Sequence, residues 1–410
     1  MKATTILAMA AALLFAVAVS AGSVAGEGDA PGFQLVESVP VETTLGQPDT
    51  PRAPDVWLEM IRGARSEICV ESFYYSDDPD DDDDPLDRVL GALAEAGARG
   101  VRVRLIGDKG FHRTYPDILD RFASLPGCES RLIDARSAWG GVQHSKFMVV
   151  DGRDCFVGSQ NWDWRALMHI HELGARVRDE HLAGALRGVF LHDWAVAGGE
   201  PVPVAAVDAS PRVLSLADGS AATVSMAASP PTALPPGMPH DLPPLIDLVD
   251  RAERELRLQV LSYHVTSRDG SEYLELDTAL RRAAGRGVKV RLIASNWAKR
   301  KSQIVWLQSL ACLPNIEVRF TNIPAWSGGF VPFGRVEHPK FMVVDGREGW
   351  VSTSNWSPGY FSDSRNVSLF VVGDSAAEQL TRIFDTSWES GYAEVVDPGR
   401  DDYEAPRRDQ

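Results

Sequence analysis

At 410 residues, with 44% hydrophobic and 24% charged residues, the chain has ordinary globular composition and enough length for two full cores. A formal net charge of −16 argues against a broad basic surface gripping duplex nucleic acid, though not against a local positive pocket. Four cysteines in a chain this long do not make a disulfide framework, and no disulfide is expected.

Lys2, the apolar stretch Ile6 to Val19 and the small residues around Ala21 and Ala25 read as a secretory signal over residues 1–25. The stretch is short for a spanning helix, and an uncleaved membrane anchor is the alternative. In either case the body of the protein is expected outside the cytoplasm. A first domain is expected over 33–200, opening with a strand at Gln34 to Val39. The run Asp77 to Asp87, with eight aspartates, reads as a solvated acidic loop rather than a calcium site.

Strand, helix, strand, helix, strand then leads to His144-Ser145-Lys146, Asp151 and Gly158-Ser159-Gln160-Asn161. A stretch rich in Ala, Pro and Gly follows Trp194, and 201–221 is expected to be a linker. A second domain over 222–397 opens with a strand at Ala222 to Ala227 and repeats the pattern, and the charged tail 398–410 is expected to be disordered.

The second half carries His338-Pro339-Lys340, Asp345 and Ser352-Thr353-Ser354-Asn355, 194 residues after the first set. Phe147 to Val150 and Phe341 to Val344 are apolar runs ending in Asp-Gly, a strand followed by a tight turn. Residues two apart on a strand share a face, so each His projects with its Lys, and the returning strand brings up the Asn. An imidazole, an ammonium and an amide on one surface suit a phosphodiester, and two copies supply a whole site. The duplication extends to Gly100-Val101-Arg102-Val103-Arg104-Leu105-Ile106 against Gly287-Val288-Lys289-Val290-Arg291-Leu292-Ile293, and to Phe190 and Trp194 against Phe384 and Trp388. This alternation predicts an α/β fold of two similar sandwich halves with mixed sheets, pseudo-two-fold symmetry and an active site at their interface. The two sheets are expected to meet edge to edge.

The paired His-x-Lys-x4-Asp motifs resemble those of the phospholipase D superfamily, over about Gln34 to Val396. Asn161-Trp162-Asp163-Trp164-Arg165 with Glu172-Leu173-Gly174 is similar to the first motif of the mammalian lysosomal phospholipase-D-like exonucleases and their poxviral relatives. Ser354-Asn355-Trp356-Ser357 with Gly359-Tyr360-Phe361 is similar to their second, and Leu35-Val36-Glu37-Ser38-Val39-Pro40 and Ser72-Phe73-Tyr74 agree near the start.

The resemblance implies 5′-exonuclease action on single-stranded nucleic acid, with lipid transphosphatidylation the alternative. It makes His144 the nucleophile that forms a phosphohistidine and His338 the acid and then base. Lys146, Lys340, Asn161 and Asn355 would hold the phosphate oxygens. Asp151 and Asp345, with Ser159 and Thr353, would be structural. Glu172, matched by Asn366 in the second half, would pair with and orient His144.

No cofactor, required metal or obligate protein partner is implied. His169 and His171 alternate beside Glu172 but lack a third ligand on their face. Trp162 and Trp356 are expected in the core. Trp297, beside Lys299-Arg300-Lys301, and Trp326 and Phe330 are candidates to line substrate. A lipid enzyme would show an apolar rim around the cleft, a nuclease a positive groove with aromatic platforms.

Overall fold

The motif strands are apolar on both of their faces, so each must be covered on both sides. The computed structural model, which describes residues 30–78, 81, 84–267 and 270–408, shows how. The first sheet runs, in spatial order, Phe33–Ser38, Ile170–Arg178, Asp154–Gly158, Lys146–Val150, Glu67–Ser72, Arg102–Asp108 and Cys128–Ile133. The second runs Arg212–Ser215, Ala221–Ser229, Asn366–Val372, Glu348–Ser352, Phe341–Val344, Glu255–Val260, Lys289–Ser295, Ile316–Thr321 and Ala393–Val395. In both, the motif hairpin is antiparallel and is followed by a parallel trio, such as Glu67–Ser72, Arg102–Asp108 and Cys128–Ile133.

Met148 and Val150 point outward, to the core beneath the helices Ala53–Gly63 and Pro85–Ala98; Met342 and Val344 do the same beneath Leu242–Arg251 and Glu275–Gly285. Phe147 and Val149 point inward, and share one continuous core with Phe341 and Val343. The helices Glu180–Gly198 and Asp374–Glu389 add Phe190, Trp194, Phe384 and Trp388 to it, stacked in pairs at 5.6 and 5.4 Å. The two sheets therefore meet through their inner faces rather than edge to edge, and the inward residues of each motif strand are covered jointly by the closing helix of their own half and by the other half. A short strand, Val336–Glu337, crosses to pair in parallel with Ile170 and His171.

Other expectations are corrected at the boundaries. The segment 201–221 is not all linker: Arg212–Ser215 pairs with Ala221–Ser229, and the Ser215 hydroxyl accepts the Gly32 N–H at 3.1 Å. The tail beyond Asp397 lies back on the second half, where the Tyr403 hydroxyl accepts the Asp397 N–H and the Arg408 carbonyl accepts the Phe333 N–H. Asp84, within the acidic run, is buried and caps the helix Pro85–Ala98 by accepting from Leu86 and Asp87. The predicted signal over residues 1–25 lies outside the described residues.

Candidate active site

Each motif turn is closed by Asp-Gly in the left-handed region, Asp151 and Gly152 at φ 51° and 66°, Asp345 and Gly346 at 54° and 65°. The Asp151 carboxylate accepts the backbone N–H groups of Arg65, Ser66 and Glu67 at 2.8–3.0 Å. Asp345 accepts those of Glu253, Arg254 and Glu255 at 2.8–2.9 Å. Both aspartates face away from the histidines and tie the turn to the loop that feeds the neighbouring strand.

His144, Lys146, His338 and Lys340 are all buried. Each lysine ammonium donates to the carbonyl of its own motif histidine. Burial and the Lys340 charge hold Lys146 well below its usual value, and burial pushes Lys340 down to about 7. Glu172 offsets part of this for both lysines, and a phosphodiester anion held beside them would favour their charged forms further.

The Asn161 Nδ2 reaches the Tyr74 hydroxyl at 3.4 Å, and the Asn355 Nδ2 reaches the Tyr360 hydroxyl at 3.3 Å. The second N–H of each amide remains for a ligand oxygen. Ser159 and Thr353 donate their hydroxyls to Glu172 and Asn366, and accept the N–H of Leu173 and Val367.

The pairing of the histidines reverses the expectation. Glu172 does not stand behind His144: its carboxylate sits 2.7 Å from Nδ1 of His338, and Nδ1 of His144 faces the Asn366 amide oxygen at 3.1 Å. The strand carrying Glu172 belongs to the first sheet, but the inward meeting of the halves aims its side chain across the interface. Each motif histidine is thus oriented by the other half.

The two rings are left in different proton states. Asn366 donates its own N–H to the Tyr360 carbonyl at 2.8 Å, which fixes its oxygen as the acceptor for His144. His144 therefore carries its proton on Nδ1 and keeps a lone pair on Nε2. Burial and the two lysines hold this ring well below its ordinary pKa. Burial pushes Glu172 up to about 8 and, with the two lysines, also holds His338 well below its ordinary pKa, so the hydrogen bond between them holds one proton that burial favours on the carboxyl. Whichever of the two holds that proton, Nε2 of His338 carries a hydrogen.

Behind the histidines lie two buried ionic clamps related by the same offset. His171 is gripped by Glu337 at 2.5 Å and Glu37 at 3.2 Å, and its carbonyl accepts the His338 N–H. Burial lowers the pKa of this ring, but the two carboxylates outweigh it and raise it to about 10. Its counterpart Arg365 is gripped by Asp193 through two bonds of 2.6 and 2.7 Å, and its carbonyl accepts the His144 N–H. Gln143 donates to Glu71 in one clamp, and Gln259 donates to Glu337 in the other. His171 is a clamp member, and His169 instead ends a short helix and packs against Trp164 and Trp326.

Trp162 and Trp356 are core residues. The three candidate platforms have other partners. Trp297 and Phe330 line a separate cavity of about 220 Å³ with Phe333, Arg335 and the C-terminal tail, and the Arg408 guanidinium lies 4.9 Å over the Trp297 ring. Trp326 rests on His169.

Sequence reasoning missed Tyr360, which meets His144 edge-on at 4.8 Å, and the rings of Phe73 and Tyr74. The signal was present in Ser72-Phe73-Tyr74 and Gly359-Tyr360-Phe361, but spacing alone does not say that these loops close over the motif.

Comparison with known proteins gives the family. The family model described as cardiolipin synthase, PLD-like domain, matches residues 57–194 and again 245–388. The human 5′-3′ exonuclease PLD4 is 32% identical over 90% of this chain and 80% of its own length. The macaque (Macaca fascicularis) 5′-3′ exonuclease PLD3 is 32% identical over 90% and 81%. Phospholipase D Z of Dictyostelium discoideum is 30% identical over 88% and 90%. Among solved structures, the phosphatidylserine synthase of Haemophilus influenzae shares the fold, with a TM-score of 0.57, 14% identity and coverage of 84% and 85%. The chain belongs to the phospholipase D superfamily, as a phosphodiesterase that carries the PLD-like domain twice in one polypeptide.

Proposed function

We propose that the protein is a 5′-exonuclease of single-stranded nucleic acid working through a phosphohistidine on His144. The observation that carries the mechanism is the difference behind the rings, an amide oxygen fixed as acceptor at Nδ1 of His144 and the Glu172 carboxyl at Nδ1 of His338, from which a bare Nε2 on His144 and a hydrogen on Nε2 of His338 follow. Nε2 of His144 attacks phosphorus, the bond to the leaving oxygen breaks, and that oxygen takes the proton from His338. Water then gives a proton back to His338 as its oxygen attacks phosphorus, which breaks the N–P bond and frees His144. Lys146, Lys340 and the free N–H groups of Asn161 and Asn355 hold the non-bridging oxygens as charge builds on them, so the scheme calls for no metal.

The nucleic-acid substrate is supported by relatives at about 32% identity that carry the exonuclease name, and by the aromatic surroundings of His144. With the putting of residues 1–25 down to a secretory signal, the same reading has the enzyme act outside the cytoplasm.

The test gives purified protein, in EDTA, a 5′-labelled single-stranded oligonucleotide or, separately, a phosphatidyl lipid with a primary alcohol. Stepwise mononucleotide release is expected; phosphatidyl-alcohol formation without it would replace the substrate assignment. A radiolabelled nucleoside p-nitrophenyl phosphodiester, whose leaving group needs no proton, separates the histidines. His338→Ala is expected to accumulate labelled protein and His144→Ala to form none; the opposite pattern would exchange their roles.

A further inference from the structure

The catalytic groups obey the pseudo-two-fold relation, but their surroundings do not. Against His144 stands Phe73, ring centroids 5.0 Å apart, and Phe73 meets Phe111 at 4.1 Å. Tyr74 is stacked against Phe111 at 5.7 Å, with an interplanar angle of 18°, and against Tyr115 at 5.1 Å. Four rings thus lead away from the nucleophile. The positions in the second half that match Phe73, Tyr74 and Phe111 hold Leu261, Ser262 and the buried Ala298. That match follows from the residues that cap the turns: Asp108 accepts the N–H of Gly110 and Phe111, and Ser295 that of Trp297.

The ladder is fastened to the catalytic machinery and open to solvent at its far end. The Tyr74 hydroxyl donates to Asp163 at 2.9 Å and lies 3.4 Å from the Asn161 amide. Asp163 in turn holds Arg165, whose guanidinium lies 5.7 Å over the Tyr115 ring. Phe111 is 36% exposed, a large ring partly open to solvent on an otherwise polar loop. A core ring would be covered. A rigid row of rings beside a phosphate site is what unpaired bases stack on, whereas a duplex keeps its faces occupied.

We infer that Phe73, Phe111, Tyr74 and Tyr115 form a base-stacking wall that holds the nucleobases of a single strand on the first-half side of the scissile phosphate. This rests on the nucleic-acid reading and extends it: the second half binds phosphate, while the first half also reads the presence of a base. Phe111 and Tyr115 are the binding residues at the open end.

The test compares oligonucleotides that are intact or that carry one abasic tetrahydrofuran residue at the first, second or third position from the 5′ end. In wild type the abasic residue is expected to lower kcat/KM about tenfold at one of these positions, mainly through KM. In Phe111→Ala and Tyr115→Ala the ratio of intact to abasic kcat/KM is expected to collapse toward one at that position. Phe111→Leu, which keeps apolar bulk without an aromatic face, guards against a folding defect and should behave as the Ala variant does. An undiminished ratio in all three variants would overturn the wall. Failure of wild type to release nucleotide from any oligonucleotide would instead overturn the underlying function, so the two failures are distinguishable.

Discussion

At the scale of single residues, activity is set by how burial distributes protons. The Glu172–His338 pair keeps its shared proton because burial pushes Glu172 up to about 8, and that proton keeps Nε2 of His338 an acid. As pH rises through about 8 the acid is lost, and Lys340, pushed down to about 7, loses charge in the same region. On the acid side His144 stays unprotonated, since burial and the lysines hold it well below its usual value. The expected profile of kcat/KM is flat through mildly acidic pH and falls on the alkaline side. Glu172→Gln should cost about 10²-fold or more in kcat and move the alkaline limb to lower pH. A limb that stays in place would leave Glu172 a structural role only.

At the scale of elements, the motif hairpins are positioned by their turns. Asp151 closes three backbone N–H groups of the loop leading into Glu67–Ser72, so its loss leaves donors unpaired. Asp151→Ala is expected to cost about 1–3 kcal/mol in urea unfolding while turnover per folded molecule is unchanged. A collapse of turnover with stability intact would put the carboxylate in the chemistry. These hairpins were legible in the sequence because an apolar run ending in Asp-Gly specifies strand and turn locally. The partner of Glu172 was not: a strand's own pattern gives the face a side chain takes, not what stands opposite that face. The aromatic ladder escaped for the same reason, since Phe73 and Phe111 lie on different loops.

At the scale of the molecule, the halves are interlocked rather than adjacent. Arg365 of the second half and Asp193 of the first are both fully buried and joined by two bonds, and the Arg365 carbonyl holds the backbone of His144. Asp193→Ala would leave the buried guanidinium without its paired carboxylate, held only by the Ser229 and Ala233 carbonyls with Glu71 nearby, and is expected to cost about 3–5 kcal/mol in urea unfolding. A loss below about 1 kcal/mol, the value typical of exposed pairs, would mean that the clamp does not hold the halves together.

The sequence by itself determined the α/β class, the duplication, the two motif sets and the local geometry of each hairpin, because these follow from periodicity, turn chemistry and spacing along one stretch of chain. Only the tertiary structure decided that the sheets meet through their inner faces, that Glu172 faces His338 and Asn366 faces His144, and that Phe73, Tyr74, Phe111 and Tyr115 gather beside His144. Each of these depends on side chains brought together across the central core, and the pattern along a strand does not name the residue it will face.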